Sequence, residues 1–557
     1  MMSEDLKLIW NPDSFIAKTD ELEEIIFDNT SLSILAGPGS GKTEMLAQKS
    51  IFLIQNNLCP WPKKILFLTF KNEASKNIHD RIIKREPSAK DRFTSRTYHS
   101  FAKTIVDNYR LALDEKIRPN IGYDIIYKGK SNKEKVHIND IISYALIILE
   151  NNEKIRLLFK ETYSHIFLDE FQDTTIKQYE LISCIFLNSS SKVICVGDLN
   201  QSIMLFADAD PDIYKRIEKD FSPTRKLLVS NFRASDNIKK FLAPFMKYVE
   251  NGAIPLLTKE NNDSCSLHHF QNDIQEANFL SNFIEQKISN GIYPAEICVL
   301  TKQKSNEYAL RLSEMLTRKN IQNIIHDGFQ DALSEPLGII FSHILECLMV
   351  RSPKSWSEFI SIYQEIHSID LTITHEQSKL QDFINYFSEE KKNVDLNNVD
   401  DIIKFINKTI KKIGVTKIKA RWSQYKSKEN INNNWHILAN RLKSIFHIAK
   451  DKQDIVNLFT GTNAVKIMNI HKCKGLEYKI VILLGFEDEG FWNYSDNSFE
   501  QRCILYVAFT RAKDEIIISQ SDRRYFINGG KKELKKEKIA HVYQYLTKTC
   551  GMVVIQH

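Results

Sequence analysis

Ile34-Leu35-Ala36-Gly37-Pro38-Gly39-Ser40-Gly41-Lys42-Thr43 decides the fold. An apolar run, Leu32–Ala36, enters a glycine-rich turn and leaves it on helical spacing. Glycines let the backbone curl so that successive N–H groups point at phosphate oxygens, and the helix that follows adds its own N-terminal donors. Ala36, Gly37, Pro38, Gly39, Ser40 and Gly41 therefore read as a phosphate cradle. Lys42 would neutralise the β- and γ-phosphates, and the Thr43 hydroxyl would hold Mg²⁺. The strict pattern has Gly where Ala36 stands. A glycine-rich turn with a chance Lys-Thr is the bland alternative, and the strand before and helix after argue against it. The loop establishes nucleoside triphosphate binding and no more, since kinases, GTPases and motors share it.

Outward from the loop, short apolar runs followed by turn residues recur at Ile65–Phe70, His165–Leu168 and Val193–Val196. A second set lies at Ile297–Leu300, Val465–Asn469, Ile480–Leu484 and Glu515–Ser519. Such runs suit strands of parallel sheets, which are buried on both faces. The fold class expected is α/β, with two parallel-sheet domains in tandem. Residues 102–160 and 346–454 have helical spacing and little strand signal, and read as helical insertions. Lys531–Lys538 reads as a solvated helix or loop, or as a strip touching DNA phosphates.

At 557 residues the chain exceeds one ordinary domain, and a 43% hydrophobic share is enough to build real cores. A net charge of +6 over this length is weak evidence for nucleic acid. The nine cysteines include no CxxC pair, which argues against a disulfide framework or zinc site and fits a reducing cytoplasm. No signal peptide is read at Met1-Met2-Ser3-Glu4-Asp5. Leu337–Val350, interrupted by His343 and Glu346, is too short and polar to span a bilayer, so no membrane association is expected.

His165-Ile166-Phe167-Leu168-Asp169-Glu170-Phe171-Gln172-Asp173 ends an apolar run on two acids. After a phosphate loop, the first acid at such a strand end coordinates Mg²⁺ and the second orients and deprotonates water. Asp169 and Glu170 suit these roles. Two surface acids at a strand end would be the reading if the loop were absent. With Glu170 as base, the reaction is hydrolysis rather than transfer to a metabolite.

The ordered set of motifs resembles the UvrD/Rep/PcrA-type DNA helicases of superfamily 1. Ala36–Thr43 resembles motif I, Thr69-Phe70-Lys71-Asn72-Glu73-Ala74 motif Ia and Thr97-Tyr98-His99-Ser100-Phe101 motif Ib. Asp169-Glu170-Phe171-Gln172-Asp173 resembles motif II, and Gly197-Asp198-Leu199-Asn200-Gln201-Ser202-Ile203 motif III. Asn231-Phe232-Arg233-Ala234 resembles motif IV, His471-Lys472-Cys473-Lys474-Gly475-Leu476-Glu477-Tyr478 motif V, and Tyr506-Val507-Ala508-Phe509-Thr510-Arg511-Ala512 motif VI.

The resemblance implies two RecA-like domains with ATP between them. One is 1–101 with 161–222, carrying the insertion 102–160. The other is 223–345 with 455–557, carrying a reduced insertion at 346–454. It implies that Gln201 senses the γ-phosphate and that Arg233 and Arg511 act as arginine fingers. Phe232 would stack on adenine, where the family usually has Tyr, and Glu477 would meet the ribose hydroxyls. Thr69, Phe70, Asn72, Thr97, His99, Phe206, Asn469 and His471 would touch single-stranded DNA, Phe70 and Phe206 by stacking on bases. Ordinary core packing is the alternative for both rings. Travel 3′→5′ on single-stranded and tailed duplex DNA is implied, with ATP and Mg²⁺ as cofactors.

The sequence departs from the family pattern in places. Asp20-Glu21-Leu22-Glu23 lacks the Gln that reads the adenine edge. Met204-Leu205-Phe206-Ala207-Asp208 replaces a Tyr, an aromatic and Arg-Gly. Motif VI lies near the end of the sequence, so any nuclease is expected to be a separate protein. The second expectation is therefore a DNA-stimulated ATPase subunit of a larger assembly, as in phage-defence systems of the Gabija kind. DNA repair and replication restart remain open alongside defence. A small-molecule P-loop kinase is the remote third.

Overall fold

The computed structural model describes residues 10, 19–70, 72–126, 129–204, 208–252, 262–325, 328–367, 369, 373–422, 425, 428–526 and 530–557. The loop joins β1 (Leu32–Ala36) to the helix Lys42–Gln55. Next come β2 (Lys64–Thr69) and β3 (Phe93–Thr97), then a helical segment holding the short β4 (Asp124–Ile126) and β5 (Lys135–His137). β6 (Tyr163–Leu168), β7 (Lys192–Gly197) and β8 (Thr224–Leu228) complete a six-stranded sheet of order β3-β2-β6-β7-β1-β8.

Its strand pairings are parallel. Successive side chains on a strand point to opposite faces. Phe67 accordingly joins Leu32, Ile34 and Phe167 in one apolar layer, while its neighbours Leu66 and Leu68 join Ile166, Leu168 and Phe101 in the other. Burial on both sides is why these strands read as unbroken apolar runs. Parallel strands also bring Ala36, Thr69, Thr97, Leu168, Gly197 and Leu228 to one edge, the carboxyl ends where α/β sheets bind ligands.

Residues 98–162 cover the second layer with helices Tyr98–Tyr109, Ile138–Glu150 and Glu153–Thr162. Here β4 and β5 pair in parallel, pinned by buried Ile125 and Val136. Three residues per strand are too few to show alternation, so the sequence reads this segment as helix alone.

By packing density the chain falls into two units: Met1–Ser266 with Trp492–Glu515 and Lys538–Val553, and Leu267–Phe491 with Ile516–Glu537 and Val554–His557. In the first unit, helices Asp236–Asn251 and Phe499–Phe509 pack through Phe509, whose ring lies edge-on to Phe241 at 5.5 Å and Phe245 at 5.1 Å.

The second sheet contains β9 (Asn262–Phe270), β10 (Ile297–Thr301), β11 (Asn323–Ile325), β12 (Val465–Asn469), β13 (Tyr478–Leu484) and β14 (Ala512–Ser521). β15 (Arg523–Phe526) and β16 (Gly530–Glu533) form an antiparallel ribbon, and β17 (Met552–Gln556) closes the seven-stranded order β11-β12-β10-β13-β14-β9-β17. The Lys531–Lys538 stretch is thus strand at its start and not helix, because Arg523–Phe526 supplies a pairing partner. Between β11 and β12 stand helices including Pro336–Met349, Pro353–His367, Thr374–Lys392, Val399–Ile413 and Lys428–Phe446, with a core of Phe341, Phe359, Phe387, Phe405 and Leu442. The α/β class with tandem parallel sheets is the one read from the sequence. Among the described residues no helix is long and apolar enough to cross a membrane.

Candidate nucleotide site

The loop closes through its own chemistry. Gly39 and Gly41 take φ values of 71° and 79°, a region that L side chains rarely adopt. Ser40 Oγ donates to Gly37 O at 2.8 Å. The Lys42 ammonium donates to Ala36 O at 3.2 Å and Gly37 O at 3.1 Å, which holds its charge over the cradle.

The segment after β8 lies against this loop. Gly37 N donates to Leu228 O at 3.0 Å and Phe232 N to Gly39 O at 2.9 Å. Asn231 Oδ1 accepts from the backbone of Arg233 at 3.0 Å and of Ala234 at 3.1 Å, a side-chain-made turn. A β-carbon on Gly39 would lie 2.7 Å from Arg233 Cβ and overlap Asn231 Oδ1.

β6 delivers the acids. Asp169 N donates to Leu68 O at 3.1 Å, and the Asp169 side chain is buried. Glu170 sits at φ 50°, a left-handed conformation that is uncommon for a residue with a side chain. Its amide donates to Asp169 Oδ1 at 2.9 Å.

From Glu170 a series of hydrogen bonds runs through the buried site, passing through both the backbone amide and the carboxylate of Asp198. Gln172 Nε2 donates to Glu170 Oε2 at 2.6 Å, and Gln172 Oε1 accepts from Asp198 N at 3.1 Å. Gln201 Nε2 donates to Asp198 Oδ2 at 2.7 Å, and Gln201 Oε1 accepts from Arg511 Nη2 at 2.9 Å. Burial pushes the Asp198 carboxyl up, while Lys42 pulls it down. Arg511 is further fixed by Val507 O at 3.1 Å and Thr510 Oγ1 at 2.9 Å. Arg233 Nη1 donates to Thr510 O at 3.2 Å, so both arginines converge on one threonine.

The loop, Asp169, Glu170, Gln201, Phe232, Arg233 and Arg511 all lie in the first unit. Phe232 keeps 42% of its surface exposed. Thr69 is buried at the end of β2, and Phe70 is half-buried beside it. Thr97 ends β3 and caps the next helix by accepting from Ser100 N at 3.2 Å. Burial holds His99 below its ordinary range. The side chain of Asn72 and all of Phe206 lie outside the described residues. In the second unit, Asn469 Oδ1 accepts from Lys472 N at 3.0 Å, and His471 is held low by burial and then by Lys302 and Lys474. Glu477 is exposed there.

Gln172, Asp198 and Asn231 are parts of this site to which the sequence reading assigns no role. Each stands inside a quoted motif, which was the available signal, but what each holds depends on residues distant in sequence. Among the described residues no group of three or more His, Cys, Asp or Glu side chains is arranged to hold a metal. Mg²⁺ needs only one or two carboxylates, completed by phosphate oxygens and water. The hard oxygens of Thr43 and of buried Asp169 fit that donor set.

A loop that grips phosphates, with an acid tied through two glutamines to a buried arginine, belongs to the P-loop nucleoside triphosphatases, here built on RecA-like parallel sheets. The UvrD/REP helicase N-terminal domain model matches residues 18–124 and 120–222, and the UvrD-like helicase C-terminal domain model matches residues 227–330 and 341–523. The chain therefore belongs to the UvrD/REP family of ATP-dependent DNA helicases. It is similar to the ATP-dependent DNA helicase Rep of Buchnera aphidicola subsp. Acyrthosiphon pisum, with 25% identity over 88% of this chain and 92% of that protein. Gabija protein GajB of Bacillus cereus VD045 is 24% identical over 93% of this chain and 99% of its own length. ATP-dependent DNA helicase PcrA of Staphylococcus aureus Mu50 is 21% identical over 91% and 83%.

Proposed function

We propose that the chain is an ATP-driven single-stranded DNA translocase and helicase that travels 3′→5′. The observation that carries the reading is the set of hydrogen bonds that ties Glu170 to Arg511 through Gln172, the backbone amide and carboxylate of Asp198, and Gln201. Such a set links the base that activates water to a cation suited to the charge developing on the transferred phosphoryl. Ala36–Thr43 bind the phosphates, Lys42 neutralises their charge, Phe232 stacks on adenine and Glu477 binds ribose. Arg233 and Arg511 stabilise the transition state, and Gln201 reports the γ-phosphate. Thr43 and Asp169 would hold Mg²⁺, which when bound offsets phosphate charge. Glu170 takes the proton of the attacking water.

The RecA-like domains are 1–101 with 161–222 and 223–345 with 455–557, with insertions 102–160 and 346–454. Thr69, Phe70, Asn72, Thr97, His99, Phe206, Asn469 and His471 contact the strand. ATP moves the motor only by its differential affinity for two conformations of the chain.

The test is ATP hydrolysis with and without single-stranded DNA, together with strand displacement on 3′- and 5′-tailed duplexes. DNA-stimulated hydrolysis that disappears in Lys42→Ala and Glu170→Gln, with displacement from the 3′ tail, is expected. Folded protein showing no hydrolysis on any single strand sinks the reading.

A second reading is favoured by the GajB match, which spans nearly the whole of both chains. On it, the chain is the DNA-stimulated ATPase of an assembly with a separate nuclease in phage defence. Co-purification with a nuclease and displacement only in its presence supports this, and processive unwinding by the lone chain opposes it.

A further inference from the structure

Tyr214 stands on the helix Ile213–Phe221, behind the site. Its ring packs edge-on against Phe171, with centroids 5.2 Å apart at 86°. Only 7% of the residue is exposed, and among the described residues its hydroxyl has no hydrogen-bond partner. Leaving a buried hydroxyl unsatisfied is destabilising. Phenylalanine would give the same packing without that cost, so the packing does not account for the oxygen.

The hydroxyl points at the bridge described above. A β-carbon on Gly197 would lie 2.6 Å from Tyr214 Oη, and it would also overlap Gln172 Oε1. The two oxygens thus converge on the one spot that a glycine leaves open at the end of β7. Among the described residues Gln172 Oε1 accepts one bond, from Asp198 N at 3.1 Å, and an amide oxygen has a second lone pair. The charged groups acting on Tyr214 include Asp198, Glu170 and Asp169, the acids of the site.

We propose that Tyr214 is a positioning residue for hydrolysis, whose hydroxyl donates to Gln172 Oε1 in the reacting state and so locks the amide that orients Glu170. Gln172 has one rotatable amide with two jobs: its oxygen accepts from Asp198 and its Nε2 donates to Glu170. The Asp198 N–H, which can only donate, already sets the amide with its oxygen inward, and a second donor at that oxygen holds the side chain in place. Glu170 is then held in one orientation through the bond that its Oε2 accepts from Gln172 Nε2. The assignment rests on the hydrolytic reading above and adds a residue outside the recognised motifs.

The experiment is a double-mutant cycle in the full chain with Tyr214→Phe and Gln172→Ala, reading DNA-stimulated kcat, KM for ATP and thermal stability. Tyr214→Phe keeps the ring on Phe171 and is expected to melt no lower than wild type. Its kcat is expected to fall roughly three- to tenfold at unchanged KM, the weight of one hydrogen bond made only in the reacting state. In the Gln172→Ala background the same change is expected to cost nothing further. An active wild type with Tyr214→Phe at the wild-type kcat, or with fully additive losses, overturns the assignment alone. A wild type without DNA-stimulated hydrolysis overturns the hydrolytic reading and this assignment with it.

Discussion

Arg511 donates from Nη2 to Gln201 Oε1 at 2.9 Å, and both side chains are buried. The guanidinium is fixed in orientation, because Nε also donates to Val507 O and Nη2 to Thr510 Oγ1. A preorganised cation need not reorganise as charge develops, which is how such groups lower barriers.

Arg511→Lys removes the planar fork while keeping the charge. The kcat of DNA-stimulated hydrolysis is expected to fall by roughly a thousandfold, the scale of an arginine finger. Binding of a fluorescent ATP analogue should change only a few fold. A kcat within tenfold of wild type would remove Arg511 from the transition state.

Gly197→Ala tests the crowding at the end of β7. The added methyl overlaps Gln172 Oε1 and lies 2.6 Å from Tyr214 Oη, so one side chain must move. Overpacking of this kind costs about 1–3 kcal/mol in urea unfolding. Hydrolysis should drop more than ATP affinity, because the displaced amide serves Glu170 rather than the phosphate loop. Equal losses in both would place the defect in the loop instead.

Lys49 gives a pH signature. Its ammonium is buried and donates to the carbonyls of Ile25 at 2.8 Å, Ile26 at 3.3 Å and Asp28 at 2.6 Å, closing the end of the helix Asp20–Phe27. Burial pushes it down from 10.5 to about 8, with Asp28 opposing. In the unfolded chain the amine keeps its proton to higher pH. Between those values the unfolded state therefore binds more protons, and the contribution of Lys49 to stability rises with pH. Relative to Lys49→Met, wild type should gain about 2–3 kcal/mol between about pH 7.5 and about pH 10.5. A difference in unfolding free energy that stays flat across this range contradicts the burial of the charge.

In the second unit, Arg524 bridges two buried carboxylates, Glu276 at 2.7 Å and Glu487 at 3.0 Å, with its guanidinium 4.9 Å from the Tyr308 ring centre. Burial pushes the Glu487 carboxyl up, against the pull of Arg524. Arg524→Leu leaves both acids without their cation and should cost about 3–5 kcal/mol in urea unfolding. Adding Glu276→Gln and Glu487→Gln should recover part of that loss. A loss below about 1 kcal/mol from Arg524→Leu would show that the acids are neutral or hydrated in the folded chain.

What could be read from the sequence was whatever sequence neighbours determine. Ala36–Thr43 is legible because curling a backbone around phosphate needs glycine, lysine and a hydroxyl at adjacent positions. The strands of the first sheet are legible because burial on two faces removes polar residues from Ile65–Leu68 and Ile166–Leu168. β4 and β5 are too short to leave such a trace. The turn made by Asn231, the bridge made by Gln172 and the placement of Tyr214 each depend on a partner elsewhere in the chain. Helical spacing marks Tyr214 only as an inward-facing ring. Arg524, Glu276 and Glu487 are scattered over the second unit, and no spacing rule joins them.

The contact between Gly39 and Asn231 bears on protein engineering. Residues 36–43 look like a cassette that can be lifted between P-loop scaffolds. Here the loop is half of a lock whose other half is 228–233, through Gly37 N to Leu228 O and Phe232 N to Gly39 O. A graft of the loop alone imports a backbone with nothing to brace it, and a graft of 228–233 alone sets the Asn231 side chain against any residue but glycine at position 39. Transplantable nucleotide binding from this chain has a minimum size of two segments, and chimeras should be cut outside both.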